Sequence, residues 1–229
     1  MEHRKILLVG GGGHCRSVLD CIHRLNRYDT FGIVERAGGE GLPSVPMVGT
    51  DADLSALYDG GWREAVVTLG SIGNSERRRA LYDLLKKTGF TLPVIADPSA
   101  VISADARIEE GTFIGKLAVV NAGTHVGRCA IINTGAIIEH ECKIGDFAHI
   151  SPGAVLCGGV RVEENAHIGA GTVVRQGIRI GGSALIGMGS TVVGDMAEHM
   201  EAFGNPCRAV QPLSEYLNLQ KSPPPPLEI

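Results

Sequence analysis

Ile132-Asn-Thr-Gly-Ala-Ile-Ile138-Glu-His-Glu-Cys-Lys-Ile144-Gly-Asp-Phe-Ala-His-Ile150 places an aliphatic residue at every sixth position. Followed outward in both directions, the series runs unbroken from Ile102 through Ile108, Ile114, Val120 and Val126 on to Ile180, Ile186 and Val192, sixteen positions in all. A small residue sits four places after most of them: Ala106, Thr112, Ala118, Ala136, Cys142, Ala154. Period six matches neither the 3.6 of a helix nor the alternation of a half-buried strand. With 44% of the chain hydrophobic, sixteen in-register hits do not arise by chance. A short fixed period marks a solenoid. Six residues fit one flat side of a triangular coil, so eighteen make a turn of parallel β-helix, with the aliphatic residue inward and the small one at the corner. Coils then stack at roughly 4.8 Å, the spacing of parallel strands. A single coil cannot bury its own apolar line, so stability comes from stacking.

The 229 residues suit two modest domains. A net charge of −4 without a basic stripe argues against a nucleic-acid partner. Ile6 to Val9 is too short for the core of a signal peptide, and no segment approaches a membrane span. The six cysteines include no CxxC pair and read as reduced thiols of a cytoplasmic protein.

Residues 1–97 read as a small Rossmann-like parallel βαβ domain, 98–214 as the β-helix, and 215–229 as a tail whose four prolines suggest extended or disordered chain. Lys5–Val9 is a buried strand leading into Gly10-Gly11-Gly12-Gly13-His14, then a helix with Val18, Ile22 and Leu25 on one face. Further strands are expected at Thr30–Val34, Ala65–Leu69 and Thr91–Ile95. Ser75 is the expected cap of a helix with a Leu81, Leu84 and Leu85 stripe, stopped by Gly89. Ligands of such domains lie beyond the carboxyl ends of the strands. The glycine turn suits a phosphate at a helix N-terminus, but Cys15 stands where G-x-G-x-x-G needs its last glycine, so a turn without ligand is the alternative.

On the prism, His125, His149 and His167 each precede an inward aliphatic and so face outward; His149 and His167 stack one coil apart. His140 lies at a corner between Glu139 and Glu141. A carboxylate beside a histidine fixes one tautomer and raises its basicity, as a general base requires. Cys142 falls in the inward small register, which favours packing over a nucleophilic role. Zinc lyases built on a similar prism need two histidines about five residues apart plus a third, and no such pair occurs between residues 120 and 170. A binding or structural solenoid without chemistry is the remaining alternative.

The run from Asn133 to Gly153, the Gly-rich βαβ segment and Gly204-Asn-Pro-Cys-Arg208 together resemble the PglD/NeuD-type hexapeptide sugar acetyltransferases over residues 4–212. The resemblance implies a left-handed β-helix and an acetyl-CoA-dependent homotrimer without a metal. Its acceptor would be a nucleotide-linked 4-amino-4,6-dideoxy sugar, with O-acetylation of sialic acid as the alternative. His140 would be the base and Glu141 its orienting partner. His149 and backbone near Ala170 and Met188 would contact acetyl-CoA in a cleft between subunits. Gly12, Gly13, His14 and Gly70 would receive the nucleotide-sugar. Glu35 and Arg36 stand where the family often carries paired aspartates, which leaves the nucleotide open.

Overall fold

In the computed structural model, which describes residues 4–219 apart from Ala37 and Glu40, the apolar run near the start becomes β1 (Lys5–Val9) at the centre of a parallel sheet. β2 (Thr30–Val34) and β3 (Met47–Gly49) follow on one side and β4 (Glu64–Val67) pairs on the other, giving the order β3-β2-β1-β4. Ile6, Leu7 and Leu8 are fully buried because both faces are covered, which is why β1 reads as continuous hydrophobic chain. Ile6, Leu8, Ile33 and Val66 pack under α1 (Gly13–Leu25). Leu7, Val9, Val34 and Ala65 pack under α2 (Leu54–Asp59) and α3 (Glu76–Thr88).

Several expectations shift here. β3 and α2 escape periodicity because three and six residues are too few to show any. β4 ends at Val67, short of Leu69. Thr91 makes only an isolated bridge to Glu64, while Ile95–Ala96 pairs with Phe113–Ile114 as the first strand of the prism, so the boundary falls before Ile95 instead of at 97. Ser75 occupies the N-cap position of α3 without capping it; its hydroxyl is hydrogen-bonded to the Asn165 side chain instead. Leu84 is exposed, and the buried stripe of α3 is Arg78, Leu81, Tyr82 and Leu85.

The period-six ladder is realised at every position, as two-residue strands from Val101–Ile102 to Thr191–Val192. Each strand pairs in parallel with the one eighteen residues on, as in Ile114–Ile132–Ile150–Ile168–Ile186. The corners themselves fall two and three residues after each inward aliphatic. The small residue follows the corner and points inward, so Ala118, Ala136 and Ala154 are fully buried. The second corner residue has positive φ throughout: from Gly111 to Gly189, eight of fourteen are glycine, the others being Leu117, Cys129, Glu141, Phe147, Asn165 and Ser183. Each non-glycine there costs about 1–2 kcal/mol, so those six positions need a compensating contact or use. Ile102 and Ile108 stay partly buried because the first coil has nothing beneath it. At the other end Met196 and Ala202 close the core, followed by the hairpin Met200–Gly204 and Cys207–Pro212 and then α4 (Leu213–Leu219). The tail expected from 215 therefore begins as helix, and its prolines lie outside the described residues. Among the described residues no helix is long and apolar enough to cross a membrane.

The outward residues give the three sides different chemistry. One carries Phe113, Ile131, His149, His167 and Leu185 and is covered by the N-terminal domain. A second is apolar: Val101, Val119, Ile137, Val155 and Val173. The third carries a basic line, Arg107, His125, Lys143, Arg161 and Arg179, contrary to the expected absence of a basic stripe. Its members lie eighteen residues apart and so do not cluster in sequence, and Glu109 and Glu163 pair with His125 and Arg179. α1 runs along the edge between covered and apolar sides, with Asp20 ion-paired to Lys116 and Arg16 beside Thr134. α3 lies along the edge between basic and covered sides, where Tyr82 Oη donates to Glu110 at 2.8 Å and Arg79 pairs with Glu164 at 3.1 Å. Arg24 meets the buried Asp97 at 2.5 Å at the base of this seam.

Candidate active site

His140 and Glu141 form a corner between the apolar and basic sides, the edge opposite the covered side. Glu141 is one of the non-glycine residues in the left-handed region (φ 58), and this backbone brings its carboxylate back to the preceding ring. His140 Nδ1 and Glu141 Oε2 are 3.3 Å apart, a long hydrogen bond that favours the Nδ1–H tautomer and leaves Nε2 as the free base. The ring lies over Gly158, one coil further along. A Cβ there would stand 2.5 Å from His140 Cε1 and Nε2, so the absence of a side chain at Gly158 makes room for the imidazole. Gly158, Gly159, Gln176 and Gly177 complete an open groove of about 330 Å³. With His140 61% and Glu141 78% exposed in their side chains, one chain supplies only part of a water-excluding site.

Cys142 points inward, fully buried, with its Sγ donating to Cys157 O at 3.3 Å. Burial pushes its thiol up to about 11, which keeps it protonated at neutral pH and unfit as a nucleophile.

The Gly-rich turn sits at the carboxyl end of β1. Gly10 has φ +110, and a Cβ on it would come within 2.4 Å of Leu69 Cδ2, so both backbone and space demand glycine. Gly12 precedes α1 and Gly13 begins it, both exposed. Glu35 is folded back: Oε2 accepts the Gly11 N–H at 2.5 Å and Oε1 the Arg36 N–H at 3.0 Å. Gly10, Gly12, Glu35, Arg36, Asp51 and Arg77 surround a cavity of about 270 Å³ there. His14 and Gly70 do not line it. Gly70 packs against His14, whose ring meets Phe113 of the prism edge-on at 5.2 Å with Nε2 buried and unpartnered. A larger cavity, about 580 Å³, lies between the start of α3 and α4 and holds none of the expected catalytic groups.

His149 and His167 do face away from the prism core, yet the N-terminal domain covers them. His149 Nδ1–H donates to Ser71 O at 3.0 Å, which leaves Nε2 as an acceptor, 3.4 Å from the Asn133 amide. His167 lies 4.7 Å away, edge-on, with Nε2 3.2 Å from Ser151 Oγ. Burial is the main cause that pushes His149 down to about 4 and His14 and His167 to about 3. His125 is exposed, 3.0 Å from Glu109. Ala170 and Met188 stack one coil apart on the edge between covered and apolar sides, Met188 81% exposed. Among the described residues no group of three or more His, Cys, Asp or Glu side chains could hold a metal ion. Sequence reasoning missed Asp51, Arg77, Ser71 and Arg78; of these only Arg78 carries a signal, a charge in the buried register of α3.

Residues 5–85 match the PglD N-terminal domain, residues 141–176 the bacterial transferase hexapeptide (six repeats), and residues 106–140 the hexapeptide repeat of succinyl-transferase. PerB from Caulobacter crescentus, solved with CoA and GDP-perosamine, is 34% identical with a TM-score of 0.85, over 90% of this chain and 97% of its own. The chain belongs to the PglD/NeuD-type sugar acetyltransferase family. The acetyltransferase domain of PglB from Neisseria gonorrhoeae, solved with acetyl coenzyme A, is 32% identical with the same TM-score, over 91% and 100%. WeeI from Acinetobacter baumannii, 23% identical with a TM-score of 0.79 over 90% and 100%, shares the fold. As a member of this family the chain is an acetyl-CoA-dependent acetyltransferase, built as a small parallel α/β domain followed by a left-handed β-helix.

Proposed function

We propose that this protein transfers the acetyl group of acetyl-CoA directly to the amino group of a nucleotide-linked 4-amino-4,6-dideoxy sugar. The observation that carries the reading is the His140 ring seated over Gly158, with Nδ1 on Glu141 and Nε2 free at the groove. The neutral amine attacks the thioester carbonyl and becomes cationic as the tetrahedral intermediate forms; Nε2 of His140 takes the proton. Glu141 holds the tautomer and stabilises the imidazolium. The oxyanion needs a fixed donor, and the Gly158 N–H suits it, since its neighbours Cys157 and Gly159 donate to the adjacent coils while it does not. The sulfur of CoA leaves as the C–S bond breaks, and the imidazolium can return its proton to that thiolate.

The faces of the prism favour a homotrimer. A three-fold axis parallel to the prism, with the apolar side inward, would set the His140 edge of one chain beside the Ala170–Met188 edge of the next. The neighbour's N-terminal domain covers the side beyond that edge. Such an axis preserves height, so His140 would arrive level with Thr134, which lines a cavity together with Arg16 near the start of α1. Acetyl-CoA would run along the neighbour's edge past Ala170 and Met188, with Nε2 as the nitrogen through which His149 could reach it. Gly12, Gly13, His14, Glu35, Arg36 and Gly70 belong to the acceptor loops, and Glu35 would have to leave Gly11 for that N–H to meet a phosphate. GDP-linked 4-amino sugars are the first acceptors to try, since PerB is bound to GDP-perosamine.

The test is CoA thiol release across a panel of GDP-, UDP- and dTDP-linked 4-amino sugars, with sialic acid included. His140→Ala is expected to lower kcat by about 10²–10⁴. Equal rates for wild type and variant with every acceptor would sink the catalytic assignment, and turnover of sialic acid alone would move the reaction to O-acetylation.

A further inference from the structure

Arg78 sits in the buried stripe of α3 and is only 3% exposed. No carboxylate pairs with it among the described residues. Its guanidinium donates to Phe147 O at 3.0 Å, to Cys129 O, and to Ser71 Oγ at 3.3 Å. Phe147 and Cys129 are the corner residues of two stacked coils, both with positive φ. In that conformation their carbonyls leave the coil-to-coil ladder and take no backbone N–H. One planar fork thus spans two carbonyls a coil apart and a hydroxyl from the other domain, which a lysine's single ammonium on a flexible stem cannot match. Around it His14, His149 and His167 are held neutral by burial, so the cation has dipoles for company and no counter-charge.

As a device for stability alone this is a poor choice. The seam already has Phe113, Ile131, Leu81 and Tyr82 to bury, and Arg78 Nε is left without a partner. What the arginine adds is a fixed place for Ser71. That residue is held from two sides: its carbonyl accepts from His149 Nδ1 at 3.0 Å and its hydroxyl from Arg78. Ser71 adjoins Gly70, in the loop that leaves β4 at the point where the strand order reverses beside β1.

We propose that Arg78 is a positioning residue for the acceptor: through Ser71 it fixes the loop between β4 and α3 at a set height on the prism, where the catalytic edge of a neighbouring chain meets it. This rests on the reading that the acceptor occupies the crevice of the N-terminal domain. Acetyl-CoA, lying along the prism past Ala170 and Met188, meets that loop only indirectly, through His149, whose Nδ1–H donates to Ser71 O. Loosening the loop therefore weakens acceptor binding far more than cofactor binding.

The experiment compares wild type with Arg78→Met, Arg78→Lys and Ser71→Ala, using the 4-amino sugar nucleotide that wild type acetylates best. Arg78→Met is expected to raise the acceptor KM about tenfold or more, with the acetyl-CoA KM held within about twofold. Arg78→Lys keeps the charge without the fork and does not restore the acceptor KM. Ser71→Ala, which removes one hydroxyl, raises it without lowering Tm, and adds little to Arg78→Met because both act through one link. Amide exchange supplies a readout independent of turnover: residues 69–75 exchange faster in Arg78→Met while prism amides do not. Unchanged exchange at 69–75, or equal losses for both substrates with a lowered Tm, would reduce Arg78 to a structural residue. If wild type acetylates no acceptor on the panel, the functional reading fails, and exchange at 69–75 still decides whether Arg78 holds the loop.

Discussion

A missing side chain decides where the His140 ring can lie. Gly158 follows His140 by eighteen residues, one full coil, and the imidazole fills the space its Cβ would take. Gly158→Ala should push the ring off its seat while leaving the aliphatic core intact, since the clash is with a movable side chain at an exposed edge. We expect kcat to fall by about 10² with Tm nearly unchanged, in the range typical of a displaced general base; kinetics and a thermal melt on one preparation check it. An unaltered kcat would mean that the ring works from some other position. At this scale the sequence was partly legible. His140 between two glutamates stands out at a corner, and the inward register of Cys142 favours packing over a nucleophilic role, in agreement with the buried thiol. The role of Gly158 appears only when residues eighteen apart are set side by side.

Helices α1 and α3 and the covered side of the prism meet over three neutral histidines, and this seam has a pH signature. His14, His149 and His167 have folded-state values of about 3, 4 and 3, below the roughly 6.5 of an unfolded chain. The unfolded chain therefore binds protons that the folded one refuses as pH falls. Their contribution to stability is fully present above about pH 6.5 and is lost progressively toward pH 3–4, at up to about 1.4 kcal/mol per pH unit each. Asp97, Asp146 and Glu110, whose carboxyls are held below their ordinary range by hydrogen-bond donors and cations despite burial, act only at more acid pH. Thermal melts at pH 7, 6 and 5 should show a steep fall in Tm, and a flat Tm over that range would contradict the buried, neutral histidines. This seam was not legible from the repeat. Register says which side chains leave the core; it says nothing of what then covers them, so His149 and His167 read simply as outward residues. The strands of the prism were legible without exception because period six repeats sixteen times. β3 and α2 were not, being short elements whose place is set by tertiary packing.

At the level of the whole molecule, the three sides divide the labour: one is covered by the chain's own domain, one apolar, one basic. Among the described residues the apolar side keeps Val101 and Val173 exposed, and the groove at its edge is open. Ile137→Glu, at the centre of that side, should place a charge in the proposed three-fold contact without touching the prism core. We expect wild type to scatter light as a particle of about 72 kDa, three times 24.1 kDa, and the variant as a monomer with native-like circular dichroism and little transferase activity. A wild-type monomer that turns over normally would remove the need for a neighbour.

The eighteen-residue coil also limits how such a gene can change length. In screw terms, eighteen residues are a translation of roughly 4.8 Å, and six are a rotation by a third of a turn. An in-frame gain or loss of one hexad between His140 and Met188 would keep every aliphatic residue inward and the core well packed. It would nevertheless carry Met188 off the edge between the covered and apolar sides. Folding would tolerate multiples of six, while only multiples of eighteen would keep Met188 on its edge. Even a whole added coil would lift Met188 one step relative to His140. The spacing of these two residues along the chain is thus a mechanical constant of the site, set by counting and not by any single contact.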